Sequence, residues 1–359
     1  MRNRVLVLLT LAMVVALWAP VPIVAQGPSG AAATPNVKSG GTATTKIVWD
    51  PTAPPPSNWT PPRTPWGDPD VSGYYLNLTY TPLERPAALA GKPLYTAEEA
   101  IAAFKRAVAL DAEVDPTTIH YDWKEYGMDQ WQSPVRPNRR TSLIVDPPDG
   151  RIPPLTEEAK KRQAAAAAAE RAKGPDVRTP GTYTRCVTGN GGPPRIPGGV
   201  TAESQIIQAP GYVLHLIEGN SDVRVIPLDG RPHLPQNVRT WLGDARGHFE
   251  GNTLVVDSTN FLPTRDFRGS SSGFHLVERY TMADARTLKY EFTVDDPTTW
   301  ARPWSVEAPL PKIEPPLYEF ACHEMNYGLI NFAMGSQIRE KEGIGQSGRA
   351  PVFGQDEER

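Results

Sequence analysis

The sequence predicts a mainly β protein in which an antiparallel sheet closes into a barrel or, alternatively, forms a two-sheet sandwich. From about residue 182 onward, short segments with apolar residues at every second position follow one another. Turn signals rich in Gly, Pro, Asn and Asp separate these segments, which is typical of antiparallel strands with short connections. A proline-rich N-terminal arm and two or three helices complete the predicted architecture.

Composition excludes several classes of protein. The chain has 359 residues, with 39 Pro, 30 Gly, 39% hydrophobic residues and a formal net charge of -3. These values are not typical of collagen, a coiled coil, a polytopic membrane protein or a basic nucleic-acid binder. They indicate a loop-rich globular protein, and we expect no nucleic-acid partner.

The first 25 residues resemble a secretory signal peptide. Arg2 and Arg4 precede an apolar run over 5–17, and cleavage is expected after Ala25. This pattern predicts an exported, periplasmic or extracellular protein with no stable membrane span after processing. An uncleaved anchor stays open as the less favoured alternative.

Two cysteines, Cys186 and Cys322, lie beyond the signal peptide. In an oxidising compartment two lone cysteines commonly pair, so we expect a disulfide. Two buried free thiols are the alternative.

The chain divides into five predicted segments. Residues 1–25 are the signal peptide and 26–65 are a proline-rich linker or arm. Residues 66–180 form a helix and loop region packed on the barrel, and 181–325 form the antiparallel β domain. Residues 326–359 form a C-terminal helix and tail. Helices are predicted over 96–110, where Thr96 and Glu99 form a capping box, over 156–173 behind Thr156, and over 326–339.

Ten strands are predicted in the β domain, and a short strand at 142–145 precedes them. Many short strands with tight connections are typical of an antiparallel barrel or sandwich, and of the two we favour a calycin-like barrel. The predicted strands are 204–208, 212–218, 222–227, 238–242, 248–249, 253–260, 274–282, 287–294, 304–308 and 317–322.

Several motifs occur together in the second half of the chain. They include PLDGRPH at 227–233, WLGDARGHFEGNTLVV at 241–256, HLVERY at 275–280 and CHE at 322–324. The combination resembles a large, uncharacterised family of exported bacterial proteins, over roughly residues 60 to 340. The resemblance implies export and carries no assigned reaction. Ser221 and Met325 depart from the pattern, which has His and Gly at these positions.

Strand parity singles out Glu278 as a candidate catalytic residue. If 274–282 and 287–294 form a hairpin, Glu278 is the only acid on an apolar and aromatic face. A desolvated carboxyl group there would have a raised pKa, which suits a general acid or base. Tyr290 would be its cross-strand neighbour and hydrogen-bond donor. The alternative is a structural salt bridge from Glu278 to an arginine.

Further candidate residues come from other positions of the β domain. Arg279 or Arg268 would stabilise an anion, and His275 is a further catalytic candidate. Asp244, Arg246 and His248 alternate along one strand and could bind substrate. The remaining substrate-binding candidates are Asp266 and Arg268 in a polar loop, Trp241, and His323 beside Cys322.

Three functions are compatible with this pattern. The first is a cofactor-independent acid/base enzyme of the lyase, isomerase or hydrolase type, acting on an apolar small molecule inside the barrel. The second is a non-catalytic periplasmic small-molecule-binding barrel. The third is a structural or interaction module, which predicts a protein partner and no interior cavity. No cofactor is expected, and no metal site is expected because His-Glu-x-x-His and Cys-x-x-Cys motifs do not occur.

Overall fold

The computed structural model describes residues 48–53, 56, 58–111, 135–172, 184–187, 192–198, 202–219, 222–263, 267–314, 317–324 and 326–342. Within these residues ten strands form one antiparallel sheet, accompanied by three α-helices. The strands are β1 (Gly73–Leu76), β2 (Ile144–Asp146), β3 (Glu203–Ala209), β4 (Tyr212–Ile217), β5 (Asp222–Pro227), β6 (Asp244–Glu250), β7 (Thr253–Thr259), β8 (His275–Asp284), β9 (Thr287–Asp295) and β10 (Trp304–Ile313). The helices are α1 (Ala97–Asp111), α2 (Glu157–Ala172) and α3 (Tyr327–Glu342).

Hydrogen-bonded neighbours in the sheet follow the order β5-β4-β3-β1-β10-β9-β8-β7-β6, with β2 paired to β10 off this path. The mainly β, antiparallel prediction is therefore confirmed. The two end strands, β5 and β6, contact each other, but they are not neighbours in the hydrogen-bonded order. Their contact is close at Gly247, where an added Cβ would lie 2.7 Å from a methyl group of Leu228 and 2.8 Å from one of Ile226.

The β8–β9 hairpin has the two faces that alternation predicts. Its inward side chains are buried, whereas those on the other face are partly exposed. The inward set forms the centre of the main hydrophobic core, together with β10 residues such as Trp304 and Val306. This set comprises Leu276, Glu278, Tyr280, Met282, Leu288, Tyr290, Phe292 and Val294. The loop is shorter than predicted, since Asp284 pairs with Thr287 after a bulge.

Some strand boundaries differ from the prediction. β10 continues to Ile313 through Pro309 and Pro311, beyond the predicted end at 308. These prolines lie between the part of β10 that pairs with β2 and the part that pairs with β1. A proline lacks an N–H donor, so it is tolerated where a strand has no hydrogen-bonded neighbour on one of its two sides. The segments 238–242 and 317–322 are not strands.

Two of the three helices begin at the predicted caps, Thr96 and Thr156, and the third begins behind Asn326, the first residue of its predicted range. The Thr96 hydroxyl accepts the Glu99 N–H at 3.2 Å, and a Glu99 carboxylate oxygen accepts the Thr96 N–H at 2.8 Å, completing a capping box at α1. The Thr156 hydroxyl caps α2 at 3.1 Å, and Asn326 caps α3 at 3.1 Å.

Cys186 and Cys322 form a disulfide that joins the segment before β3 to the segment before α3. The bond is compatible with an oxidising, exported compartment. The signal peptide, and the arm up to residue 47, lie outside the described residues. In the described part of the chain, no helix has the length and apolar character needed to span a bilayer. The predicted helix and loop region contributes β1 and β2 to the sheet.

Candidate functional site

Glu278 lies in the sheet interior, with 0% of its surface exposed. One carboxylate oxygen accepts hydrogen bonds from Tyr290 at 2.7 Å, Tyr280 at 2.9 Å and Arg224 at 3.1 Å. The other oxygen accepts a second Arg224 donor at 2.6 Å. The carboxylate is thus held by four donors, two of them from one guanidinium group, which is the geometry of a strong ion pair.

Arg224 reaches this carboxylate from β5, at the far end of the hydrogen-bonded order from β8. Alternation along β5 directs Arg224 inward while Val223 and Val225 point outward. Its guanidinium group also donates to the Ser258 hydroxyl at 3.2 Å. Burial by itself would lower the pKa of Arg224, but the negative charge of Glu278 outweighs it and raises this pKa.

Of the two readings that the sequence left open for Glu278, the structure shows the salt bridge to an arginine. Arg224 neutralises Glu278, so the desolvation that was to prepare a general acid or base is offset by an ion pair. The direct cross-strand neighbour of Glu278 is Phe292, not Tyr290. Tyr290 pairs with Tyr280 and reaches Glu278 diagonally. Arg279 and His275 lie on the opposite face of β8 and are not brought to Glu278.

Aromatic side chains fill the space around the ion pair. Tyr280 and Tyr290 lie with ring centroids 5.0 Å apart, and Phe292 and Trp304 continue the cluster at 5.6 and 6.0 Å. Burial and the adjacent Glu278 raise the pKa of both tyrosines well above the ordinary value, so both hydroxyl groups stay protonated donors. Each aromatic residue is at most 2% exposed.

A second group of buried polar residues extends from this cluster. His215 packs edge-on against Tyr280, with centroids 5.9 Å apart, and its pKa is lowered by burial and by Arg195 and Arg224. The Arg195 backbone N–H donates to the Tyr290 hydroxyl at 3.2 Å. The pKa of Glu218 is raised to about 8. Burial is the largest cause, and the hydrogen bond and negative charge of the neighbouring Glu203 add to it.

A chain of polar side chains lies on the other side of the sheet, over β6, β7 and β8. The two ring nitrogens of His233 lie at hydrogen-bond distance from two carboxylates, 2.8 Å from an Asp244 oxygen and 3.0 Å from an Asp257 oxygen. The second oxygen of Asp257 lies 3.0 Å from His275. Asp244 also accepts an Arg246 donor at 2.6 Å. We call this set, Arg246, Asp244, His233, Asp257 and His275, the outer polar chain.

The outer polar chain holds a loop against the sheet. Asp244 accepts the Leu234 backbone N–H at 2.8 Å, and Arg246 donates to the Pro232 carbonyl oxygen at 3.1 Å. The predicted Asp244, Arg246 and His248 row exists, but His248 bonds Glu250 at 3.1 Å and stands apart from the chain. Arg279 pairs with that same Glu250 at 2.8 Å.

His275 is the member of the chain best placed for proton transfer. It is partly exposed, and its hydrogen bond to Asp257 raises its pKa above the ordinary value of 6.5. Although burial would raise the pKa of Asp257, hydrogen bonds and charges from His275 and His233 lower it. A histidine oriented by an aspartate is a common acid/base arrangement.

The other predicted binding residues are dispersed. Arg268 lies at a positive φ of 51° in the 267–273 loop, whose Ser271 bonds Asp296. Trp241 is half-buried in the turn before β6, and His323 is exposed beside the disulfide. Asp266 lies outside the described residues. Among the residues that the structure describes, no group of His, Cys, Asp and Glu is arranged to hold a metal ion.

The outer side of β3, β4 and β5 carries apolar residues. Ile207, Leu214 and Val225 lie in register across the three strands, and Leu216 lies opposite Val223 in the adjacent row. Val223 is 44% exposed and Val225 54% exposed, whereas Leu214 and Leu216 are half-buried. We call these five residues the apolar face. The alternation Val223-Arg224-Val225 indicates that the two valines share one face of β5. Because apolar residues normally face the core, the same alternation would have predicted that the valines point inward.

A small cleft of about 10 Å³, with room for about one water molecule, lies elsewhere. Its lining includes Trp49, Leu78, Val135 and Pro309, and includes neither Glu278 nor the outer polar chain. Comparison of the chain with protein-family models, with curated proteins and with solved structures gives no match in any of the three.

Proposed function

We propose that the protein is an interaction module of the exported compartment, which associates with a partner protein through the apolar face on β3, β4 and β5. The exposed valines of β5 carry this proposal. Solvent-facing positions of an antiparallel sheet are usually polar, and a contiguous apolar patch is typical of an interaction surface.

The sheet interior supports the same proposal. An enzyme or carrier acting inside the sheet needs an accessible cavity beside its polar groups. Here the four donors on Glu278 and the surrounding aromatic rings occupy the space at the carboxylate. Of the three functions that the sequence allows, the interaction module is the one that expects a filled interior.

The scaffold of this module is, in our proposal, a calycin-like barrel closed by packing between β5 and β6. Two contacts support this closure. Arg224 of β5 reaches Glu278 of β8 across the interior, and Gly247 of β6 packs against Leu228 and Ile226. Glycine at 247 permits this close approach because it has no Cβ.

The test is photo-crosslinking in the native host, with a photoreactive amino acid at position 225 of the full chain. We expect a discrete crosslinked species that mass spectrometry identifies as a protein. Val238 is a matched control, since it is 42% exposed and lies outside the apolar face. Crosslinks that are absent at 225, or equal at 225 and 238, would contradict the proposal.

Cofactor-independent acid/base catalysis is the second candidate function, favoured by the contact between His275 and Asp257. The aspartate orients the imidazole, so the other ring nitrogen can exchange protons with a substrate that approaches from solvent. The test is a panel of lyase, isomerase and hydrolase substrates. Turnover by the wild type that is lost in His275→Gln and Asp257→Asn supports catalysis. Turnover unchanged in both variants, or missing from the wild type, argues against it.

A further inference from the structure

The C-terminal helix α3 displays an apolar stripe to solvent. Tyr327, Ile330, Met334 and Ile338 recur at spacings of three, four and four residues, which places them on one side of a helix. Their exposed fractions are 61%, 53%, 57% and 51%. We call these four residues the helix stripe.

The opposite side of α3 is the side that is covered. Ser336 is buried and Phe332 half-buried, and both lie about half a turn from Met334. The buried side of the helix therefore carries a serine, and the more apolar side faces solvent. This arrangement reverses the usual amphipathic pattern, in which the apolar stripe faces the core.

We propose that the protein forms a two-fold dimer in which the helix stripe of each copy docks on the apolar face of the other. This inference rests on the proposed function and names the partner as a second copy of the chain. The apolar face and the helix have similar widths, because three strands at a spacing of about 4.8 Å span roughly the 10 Å diameter of a helix.

The area available matches what a stable dimer needs. The exposed parts of the helix stripe and of the apolar face together amount to roughly 800 Å², which is the most that one helix-on-sheet contact could bury. The two-fold repeats this contact, so the dimer would bury up to roughly 1,600 Å², which is the size of a standard specific interface. Both surfaces are exposed in the single chain, so neither covers the other within one copy.

The experiment is light scattering after size exclusion on the mature chain with its disulfide intact. We expect a dimer for the wild type. Val225→Glu on the apolar face and Met334→Glu on the helix stripe should each raise the dimer dissociation constant at least about a hundredfold. Both side chains are more than half exposed, so the thermal unfolding midpoint should stay at the wild-type value. Val238→Glu is the matched control and should remain dimeric.

Each other outcome overturns the inference in a recognisable way. A monomeric wild type excludes the second copy, while a crosslink from position 225 to a different protein would leave the proposed function standing. A dimer that Val225→Glu dissociates but Met334→Glu does not would mean that α3 is not the occupant. A dimer insensitive to both variants would place the interface elsewhere.

Discussion

Replacing Glu278 by Gln should destabilise the protein by about 3–5 kcal/mol, the usual cost of removing one partner of a buried ion pair. The side chains of Glu278 and Arg224 are 0% and 2% exposed, so water cannot replace the lost charge. The amide oxygen of Gln can still accept hydrogen bonds from Tyr280 and Tyr290. The loss is therefore assigned mainly to the uncompensated guanidinium charge of Arg224.

The assay is urea unfolding of the disulfide-intact protein, extended to a double-mutant cycle. Arg224→Met alone should cost a similar amount, because it leaves Glu278 unpaired. The double variant carries no unpaired charge and should be about 2–3 kcal/mol more stable than the sum of the single effects predicts. Arg279→Gln is a control one residue along β8. Its partly exposed pair with Glu250 should contribute little to stability.

Additive effects in this cycle would refute the reasoning, since they would show no coupling between the two charges. A Glu278→Gln protein as stable as the wild type would also refute it.

Three further predictions concern other parts of the molecule. Cys322→Ser removes a crosslink between residues 136 apart in sequence, and the chain-entropy model predicts a loss of about 5 kcal/mol, measured by urea unfolding. Glu218, with its pKa raised to about 8, contributes stability that is fully present below pH 4.5 and is lost as the pH rises through 8. Glu218→Gln should remove this decline between pH 5 and 8, and a decline of equal size in both proteins would contradict the assignment. Gly247→Ala places a methyl group against side-chain methyl groups of Leu228 and Ile226, so these side chains must shift, which should lower the free energy of unfolding by about 1–3 kcal/mol. Unchanged stability there would contradict the close approach of the two strands.

The sequence predicted best what depends on local chemistry. Thr96, Thr156 and Asn326 begin helices because their side chains satisfy free backbone N–H groups. Alternation along β8 and β9 assigned each side chain to its face, because a one-residue slip would have exposed Leu276 and Tyr280. These signals need no knowledge of distant parts of the chain.

The candidate site depended on distant contacts, and sequence alone did not supply them. Arg224 lies 54 residues before Glu278, and its inward direction became evident only when β5 and β8 met across the interior. His233 was not singled out, because its role arises when a loop lays it between Asp244 and Asp257. β1 was missed since its four residues are too short for a reliable alternation pattern.

Native mass spectrometry of the mature protein, purified from its own host, tests most directly whether the sheet interior is a filled structural core. We expect the mass of the protein alone, with the disulfide formed and no small molecule bound. A stoichiometric small-molecule adduct in the wild type that disappears in Glu278→Gln would contradict it and place a ligand at the ion pair.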